Sequence, residues 1–581
     1  MPQEPVEQLD ALVIGAGFSG LYALHHLRGM GLSVAVCDGA GGIGGTWWYN
    51  GYPGARVDGP GSPFYCYTFA DELMQEWDWA ETQPSQAEVL AYLQHVADRF
   101  DLTRHIRLNT WIRNPRYDEA AQRWMVDTST GGRISAQFLI CAVGALSTAN
   151  RPDIPGIDEF AGECHHTGNW PHEPVRFAGK RVGVIGTGSS GIQAIPEIAK
   201  EAVHLTVFQR TPQFSFPARN QPLTAEELAS VRDNWDALKA NMRNFNGGFP
   251  WPRNLRTAAE DTPAERQALF ERLWQEGTLK FIVDNYSDLL TNKETNGMVA
   301  DFVRSKIREI VRDPATADKL MPDHYVATKR PVLDNGYFEA YNRENVTLVD
   351  LRENPIERIT PSGVCTATGV HPLDMLVLAT GFDAISGTFL RLNPKGRAGM
   401  SLKERWRERY HNYLGLMISG FPNLFMVHGP GTPGVLYNMP LGAEREIEWV
   451  GNCIAHLRSE SLGAVEATPA AETAWAEEVA GIANRTLYPL TDSWYTGANI
   501  PGKPRQFPVH LGGPHYFERL SQVAASGYEG IEFEAARSLR NWLRKVSFRW
   551  ALALLAVLPL VALASENGQV IEIPYQKFVL D

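Results

Sequence analysis

Short apolar runs closed by glycine or by an acid set the pattern of this chain. Residues 11–14 are apolar and stop at Gly15, which predicts a buried strand. A helix is predicted from about Ser19, with Leu21, Leu24 and Leu27 on one face. A second strand, residues 33–37, ends at Asp38. Residues 88–100 have the spacing of an amphipathic helix. Residues 106–128 read as strands broken at Asn114-Pro115 and Asp118-Glu119, and 138–143 form an apolar strand ending at Gly144. The opening pattern then recurs, with a strand at 181–185, a glycine cluster and a closing strand at 205–208. From Pro222 to about Asp323 the period becomes helical. Thr224-x-x-Glu227 is a capping box ahead of Leu228, Val231, Trp235 and Leu238 on one predicted face. Thr262-Pro263-x-Glu265 opens a second helix, and residues 298–311 a third. Residues 374–379 are again a strand, and a late helix begins near Leu441. This alternation predicts an α/β protein with two Rossmann-like dinucleotide-binding domains and a helical insertion.

The glycines add chemistry to the pattern. In Gly15-x-Gly17-Phe18-Ser19-Gly20, Gly15 permits a tight turn, Gly17 lets backbone approach a pyrophosphate, and Gly20 lets helix and strand pack closely. The helix N-terminus then faces the phosphates. Asp38 stands where an acid hydrogen-bonds a ribose 2′-hydroxyl and would repel a 2′-phosphate, so this site suits FAD or NAD. The second cluster is Gly186-Thr187-Gly188-Ser189-Ser190-Gly191. There the position of the acid is Gln209, followed by Arg210 and Thr211. A guanidinium and a hydroxyl in place of a carboxylate suit the 2′-phosphate of NADP. Two units of opposite charge preference imply two nucleotides in one enzyme.

At 581 residues the chain is too long for one core and predicts several domains. With 44% hydrophobic and 21% charged residues most of it is expected to be globular, and a net charge of −12 disfavours nucleic acid as a partner. The six cysteines are scattered without a C-x-x-C, so neither a metal site nor a redox disulfide is indicated. That argues against a disulfide reductase of related fold. Isolated thiols and an N-terminus without a signal segment point to the cytoplasm. One stretch complicates this. Arg537, Arg540, Arg544, Lys545 and Arg549 precede an apolar run, 550–564, broken by Pro559. It is shorter than the ~20 residues that span a bilayer, and weak membrane association through it is the expectation, with packing on a partner subunit or a fused remnant as the alternatives.

Between the two glycine clusters lies F-x-G-x-x-x-H-x-x-x-W-P, fixed by Phe160, Gly162, His166, Trp170 and Pro171. An aromatic loop from Gly44 to Asp58 carries Gly45, Thr46, Trp47, Tyr52, Pro53 and Gly54. Lys329-Arg330-Pro331 and Ala379-Thr380-Gly381 follow later. Together these motifs resemble type I Baeyer–Villiger monooxygenases over roughly residues 8–530. N- and S-oxidising flavin monooxygenases usually lack the Trp-Pro ending.

The resemblance implies FAD, NADPH, a small-molecule ketone and O2. NADPH would reduce the flavin, a C4a-peroxyflavin would form and attack the ketone carbonyl, and carbon migration would give an ester or lactone. It implies that the 44–58 loop and Tyr65 wrap the flavin, that backbone near Ile112 touches its adenine end, and that Met439 lies in the wall over its ring. Lys329 would meet the 2′-phosphate and Trp494 would close on NADP. Arg330 would stabilise anionic oxygen, held by Asp58. Gly59-Pro60-Gly61 adds one residue to the usual pattern beside Asp58. The implied division is an FAD-binding domain at 1–145 and 376–534, an NADP-binding domain at 150–220 and 325–375, the helical insertion at 221–324, and an extra tail at 535–581. A non-catalytic nucleotide-binding flavoprotein is the alternative of a different class.

Overall fold

The computed structural model describes residues 6–59 and 61–537. Its first sheet is built on β1 (Glu7–Ile14), β2 (Val34–Cys37), β3 (Ile106–Arg107), β4 (Ile112–Asp118), β5 (Arg123–Thr128) and β6 (Arg133–Cys141). The strand order is β3-β2-β1-β6-β5-β4, and Leu424–Met426 also pairs with β6. β1 runs parallel to β2 and β6, while β4, β5 and β6 form an antiparallel meander. All four residues of β2 are buried, as a parallel strand covered on both faces requires. Helix α1 (Phe18–Gly29) turns Leu21, Leu24 and Leu27 into a core shared with Ile447, Val450 and Ile454 of the helix Met439–Ser459.

The second sheet contains β7 (Glu163–His166), β8 (Arg181–Ile185) and β9 (His204–Gln209), joined by Val346–Asp350 and Met375–Leu378. Every pairing in it is parallel. Because Met375–Leu378 lies between β7 and β8, the chain leaves this sheet after Leu378. The expected boundary at 375/376 falls inside a strand. Residues on the two linkers pair directly: the Asn150 N–H donates to the Gly381 carbonyl (2.8 Å) and the Asp383 N–H to that of Thr148 (2.9 Å).

The block between β9 and Val346–Asp350 is largely helical; Phe270, Trp274, Phe281 and Phe302 lie in the core of the second sheet, while Trp235 and Met242 join that of the first. Both capping boxes form, at Thr224 and at Thr262, the latter with Pro263 at the first helical position. Two expectations shift. The face from Leu228 to Leu238 is not one helix, because the chain breaks at Asn234 between Ala225–Asp233 and Trp235–Asn244; Leu228 and Trp235 are buried, one from each piece. The helix expected at 298–311 spans Lys293–Ile310, because the Asn292 side chain accepts the N–H groups of Glu294 and Thr295 and starts it a turn earlier.

Among the described residues no helix is long and apolar enough to cross a membrane. The expected 550–564 segment and most of its basic flank lie outside the described residues, as does Pro60.

Candidate active site

One cavity of about 1810 Å³ is lined by both glycine clusters, both linkers, the 44–58 loop and part of the helical block. Its two ends are alike for a physical reason. In each glycine cluster the last glycine lets the helix sit on the first turn: a Cβ on Gly20 would run into the Gly15 carbonyl, and one on Gly191 into that of Gly186. A Cβ on Gly188, by contrast, would meet no atom within 4 Å. Both helices, α1 and Ser189–Glu201, begin at a glycine with no side-chain cap, and Phe18, Ser19, Thr187, Ser189 and Ser190 line the cavity at their starts. The orphan N–H groups at each N-terminus are therefore left for a ligand, and a dinucleotide pyrophosphate fits each cradle.

The ribose ends differ. Asp38 is held by the N–H groups of Ala16 (2.6 Å) and Ala40 (2.8 Å), and burial raises its pKa. Ile112 lies on the cavity wall nearby with the neighbouring Trp111, whose ring is half exposed. In the second cradle the Gln209 amide turns away and donates to the Lys319 carbonyl (2.7 Å). Arg210 is exposed on the cavity and Thr211 lies beside it, its carbonyl accepting from the Thr187 hydroxyl (3.0 Å). Lys329 Nζ donates to the Asp492 carbonyl (2.8 Å); burial and the Arg210 charge both push its pKa down. Two cations thus share this end.

Between the cradles, Arg330 grips Asp58. Nη2 donates to Oδ1 (2.7 Å) and Nε to Oδ2 (3.2 Å), a two-point fork. Nη2 also reaches the Asp58 carbonyl (3.3 Å) and Nη1 donates to the Val435 carbonyl (2.8 Å). Burial works against the guanidinium charge, but Asp58 and the neighbouring Tyr495 outweigh it and raise the Arg330 pKa. A charge fixed at four points needs little reorganisation when an oxyanion forms beside it. Gly45, Thr46, Trp47, Tyr65 and Met439 line the same cavity. Trp47 and Tyr65 meet edge to face at 5.7 Å. Trp494 also faces the cavity and packs on Tyr495 (4.2 Å between centroids).

The Phe160–Pro171 motif sits elsewhere. Phe160, Gly162, His166, Trp170 and Pro171 do not line the cavity, although Gly168 and Asn169 between them do. His166 Nδ1 accepts the Gly168 N–H (2.9 Å), so the proton is on Nε2, which faces the Asn150 carbonyl (3.3 Å) and the Thr380 hydroxyl (3.2 Å). One imidazole thereby ties both linkers, and its burial lowers its pKa. A Cβ on Gly162 would strike the Asp374 carbonyl and the Phe160 ring. Trp170 is buried in the second core, and its N–H donates to the Tyr49 carbonyl (2.9 Å) at the end of the 46–49 helical turn.

Sequence reasoning missed Asn150, Tyr495 and the Val435 carbonyl. A backbone acceptor leaves no signature in sequence. Tyr495 carried one signal, its place directly after Trp494.

The family profile for pyridine nucleotide-disulphide oxidoreductases matches residues 12–244. All six cysteines are free. The chain is 42% identical to a cyclohexanone 1,2-monooxygenase of Acinetobacter sp. over 91% of its own length and 97% of that protein's. It is also 42% identical to a phenazine N-monooxygenase of Lysobacter antibioticus, over 90% and 96% of the two chains. The crystal structure of a cyclohexanone monooxygenase from Rhodococcus sp. Phi1 bound to NADP+ superposes with a TM-score of 0.90 at 42% identity, covering 92% of this chain and all of that one. The fold and site define a two-Rossmann flavoprotein monooxygenase. The chain belongs to the Baeyer–Villiger monooxygenase family.

Proposed function

We propose that this protein is an FAD- and NADPH-dependent monooxygenase that inserts one oxygen atom of O2 next to a ketone carbonyl, giving an ester or lactone. The observation that carries the reading is the half-buried Asp58–Arg330 fork on the wall of a cavity that opens to both nucleotide cradles. When bound, the flavin supplies hydride acceptance from NADPH and the activation of O2. The chain supplies the rest. Arg330 presents a fixed positive charge to oxygen that becomes anionic, and Asp58 keeps that guanidinium aimed. FAD is held by the Gly15–Gly20 cradle, Asp38, the 44–58 loop, Tyr65, Ile112 and Met439. NADP would be held by the Gly186–Gly191 cradle, Arg210, Thr211 and Lys329, with Trp494 on the same cavity wall. His166 and its motif set the angle between the two halves through the linkers. The aromatic wall, including Phe249 and Trp251 from the helical block, excludes water and prevents loss of activated oxygen as hydrogen peroxide. In this reading the FAD-binding, NADP-binding and insertion units follow the expected division, with the last crossing moved beyond Leu378. The enzyme works in the cytoplasm, and the tail gives it weak membrane association.

The experiment is a panel of cyclic, linear, aromatic and steroid ketones with FAD-loaded protein, NADPH and O2, the products identified by gas chromatography and mass spectrometry. Ester or lactone in step with NADPH use is expected. NADPH consumption without ester from any ketone overturns the reading. Likeness to a phenazine N-monooxygenase favours a second reading, oxidation of a ring nitrogen, so phenazine belongs in the same panel.

A further inference from the structure

Three side chains that no short motif joins meet on the outer side of the cavity wall. Glu478 stands on the helix Pro469–Ala483, His515 on the first turn of Gly513–Ala525, and His510 on the segment just before that helix. One ligand atom from each lies within 4.8 Å of the others. His510 is fully buried, and neither of its ring nitrogens has a hydrogen-bond partner. Its Nε2 points at Glu478 Oε1 from 3.8 Å, too far for a hydrogen bond and about right for two atoms that share an ion. A buried imidazole normally satisfies at least one nitrogen, so this ring asks for a missing partner.

The surroundings favour a cation there. Glu478 keeps its other oxygen near Arg519 (3.4 Å), which orients the carboxylate. One face of the His510 ring stacks on Trp475 (5.3 Å, 5° between planes) and is fixed. The His510 ring also lies parallel to His515 (5.4 Å, 11°), which is exposed and must turn its ring to bring a nitrogen in line. Two imidazoles and a carboxylate are the donor set of borderline divalent ions, with water in the remaining position.

We propose that Glu478, His510 and His515 form a binding site for one divalent transition-metal ion of the Zn2+ class. His510 also lines the nucleotide cavity, together with Leu511, Gly512 and Gly513. An ion there would tie that stretch of wall to two helices at once and stiffen it from outside.

The test uses untagged, full-length, FAD-loaded protein dialysed against a chelator and titrated with Zn2+ in a calorimeter. His510 is left alone because it lines the cavity. One equivalent of Zn2+ is expected in the wild type, with a rise in melting temperature. His515→Ala and Glu478→Gln should each weaken binding by at least about tenfold and abolish that rise, while retaining the flavin spectrum that certifies folding. His204→Ala, an imidazole at the start of β9, should bind as wild type. No uptake of Zn2+, or wild-type affinity in both ligand variants, overturns the proposal.

Discussion

Gly188→Ala separates the cofactor's demand for glycine from the fold's. Gly188 has φ −82°, ordinary for any residue, and an added Cβ would meet no protein atom within 4 Å. The substitution should leave the protein alone as stable as wild type, or more so by ~0.4–1 kcal/mol through the unfolded chain. The space it enters is the mouth of an uncapped helix N-terminus. If a pyrophosphate lies there, the methyl group crowds it, and crowding of one carbon in a close contact costs ~1–3 kcal/mol. That corresponds to roughly fivefold to over a hundredfold in kcat/KM for NADPH. Gly191→Ala is the contrast, since its Cβ would strike the Gly186 carbonyl and should lower stability whether or not NADP is present. The assay is steady-state NADPH kinetics beside thermal unfolding and FAD content. Gly188→Ala with unchanged NADPH efficiency would refute the placement of the cofactor on this turn.

Arg210→Ala removes one of two cations at the second ribose end and should cost about tenfold to a hundredfold in NADPH efficiency with little change for NADH, measured by steady-state kinetics. Equal use of both cofactors by the wild type counts against the assignment. Glu444 is buried, accepts the Thr68 N–H (2.6 Å), and burial raises its pKa to about 7. The folded state therefore binds its proton more tightly than the unfolded one, so stability present in acid is lost as pH rises through about 7. Glu444→Gln should flatten the fall in melting temperature between about pH 5 and pH 8 relative to wild type. A chain ending at Ala535 should remain soluble and active, and full-length protein should pellet in part with membranes; full-length protein wholly in the supernatant rules out the tail as an anchor.

The parts legible in the sequence are those where backbone geometry dictates residue type. Gly20 and Gly191 must be glycine because helix meets strand there, so both cradles could be read directly. The capping boxes at Thr224 and Thr262 are local and were equally plain. Asp58 and Arg330 are 272 residues apart, and nothing local to either says that they meet; only resemblance joined them. The Asn234 break was hidden because apolar spacing continues across it, and the Asn292 start because the first turn of that helix carries no apolar residue to mark it. His166 showed its importance by its motif but not its task, since both of its Nε2 partners lie on linkers distant in sequence.

The central claim is that the Asp58–Arg330 fork serves the oxygen-transfer half of the reaction and not flavin binding. Ester formed per NADPH consumed, compared between wild type and Arg330→Ala on one accepted ketone, tests it most directly. Removing one preorganised charge of this kind typically costs ~10²–10³ in rate. The variant should keep its FAD, still oxidise NADPH, release hydrogen peroxide, and form at most about one hundredth of the wild-type ester. An Arg330→Ala enzyme that couples NADPH to ester as well as wild type contradicts the account.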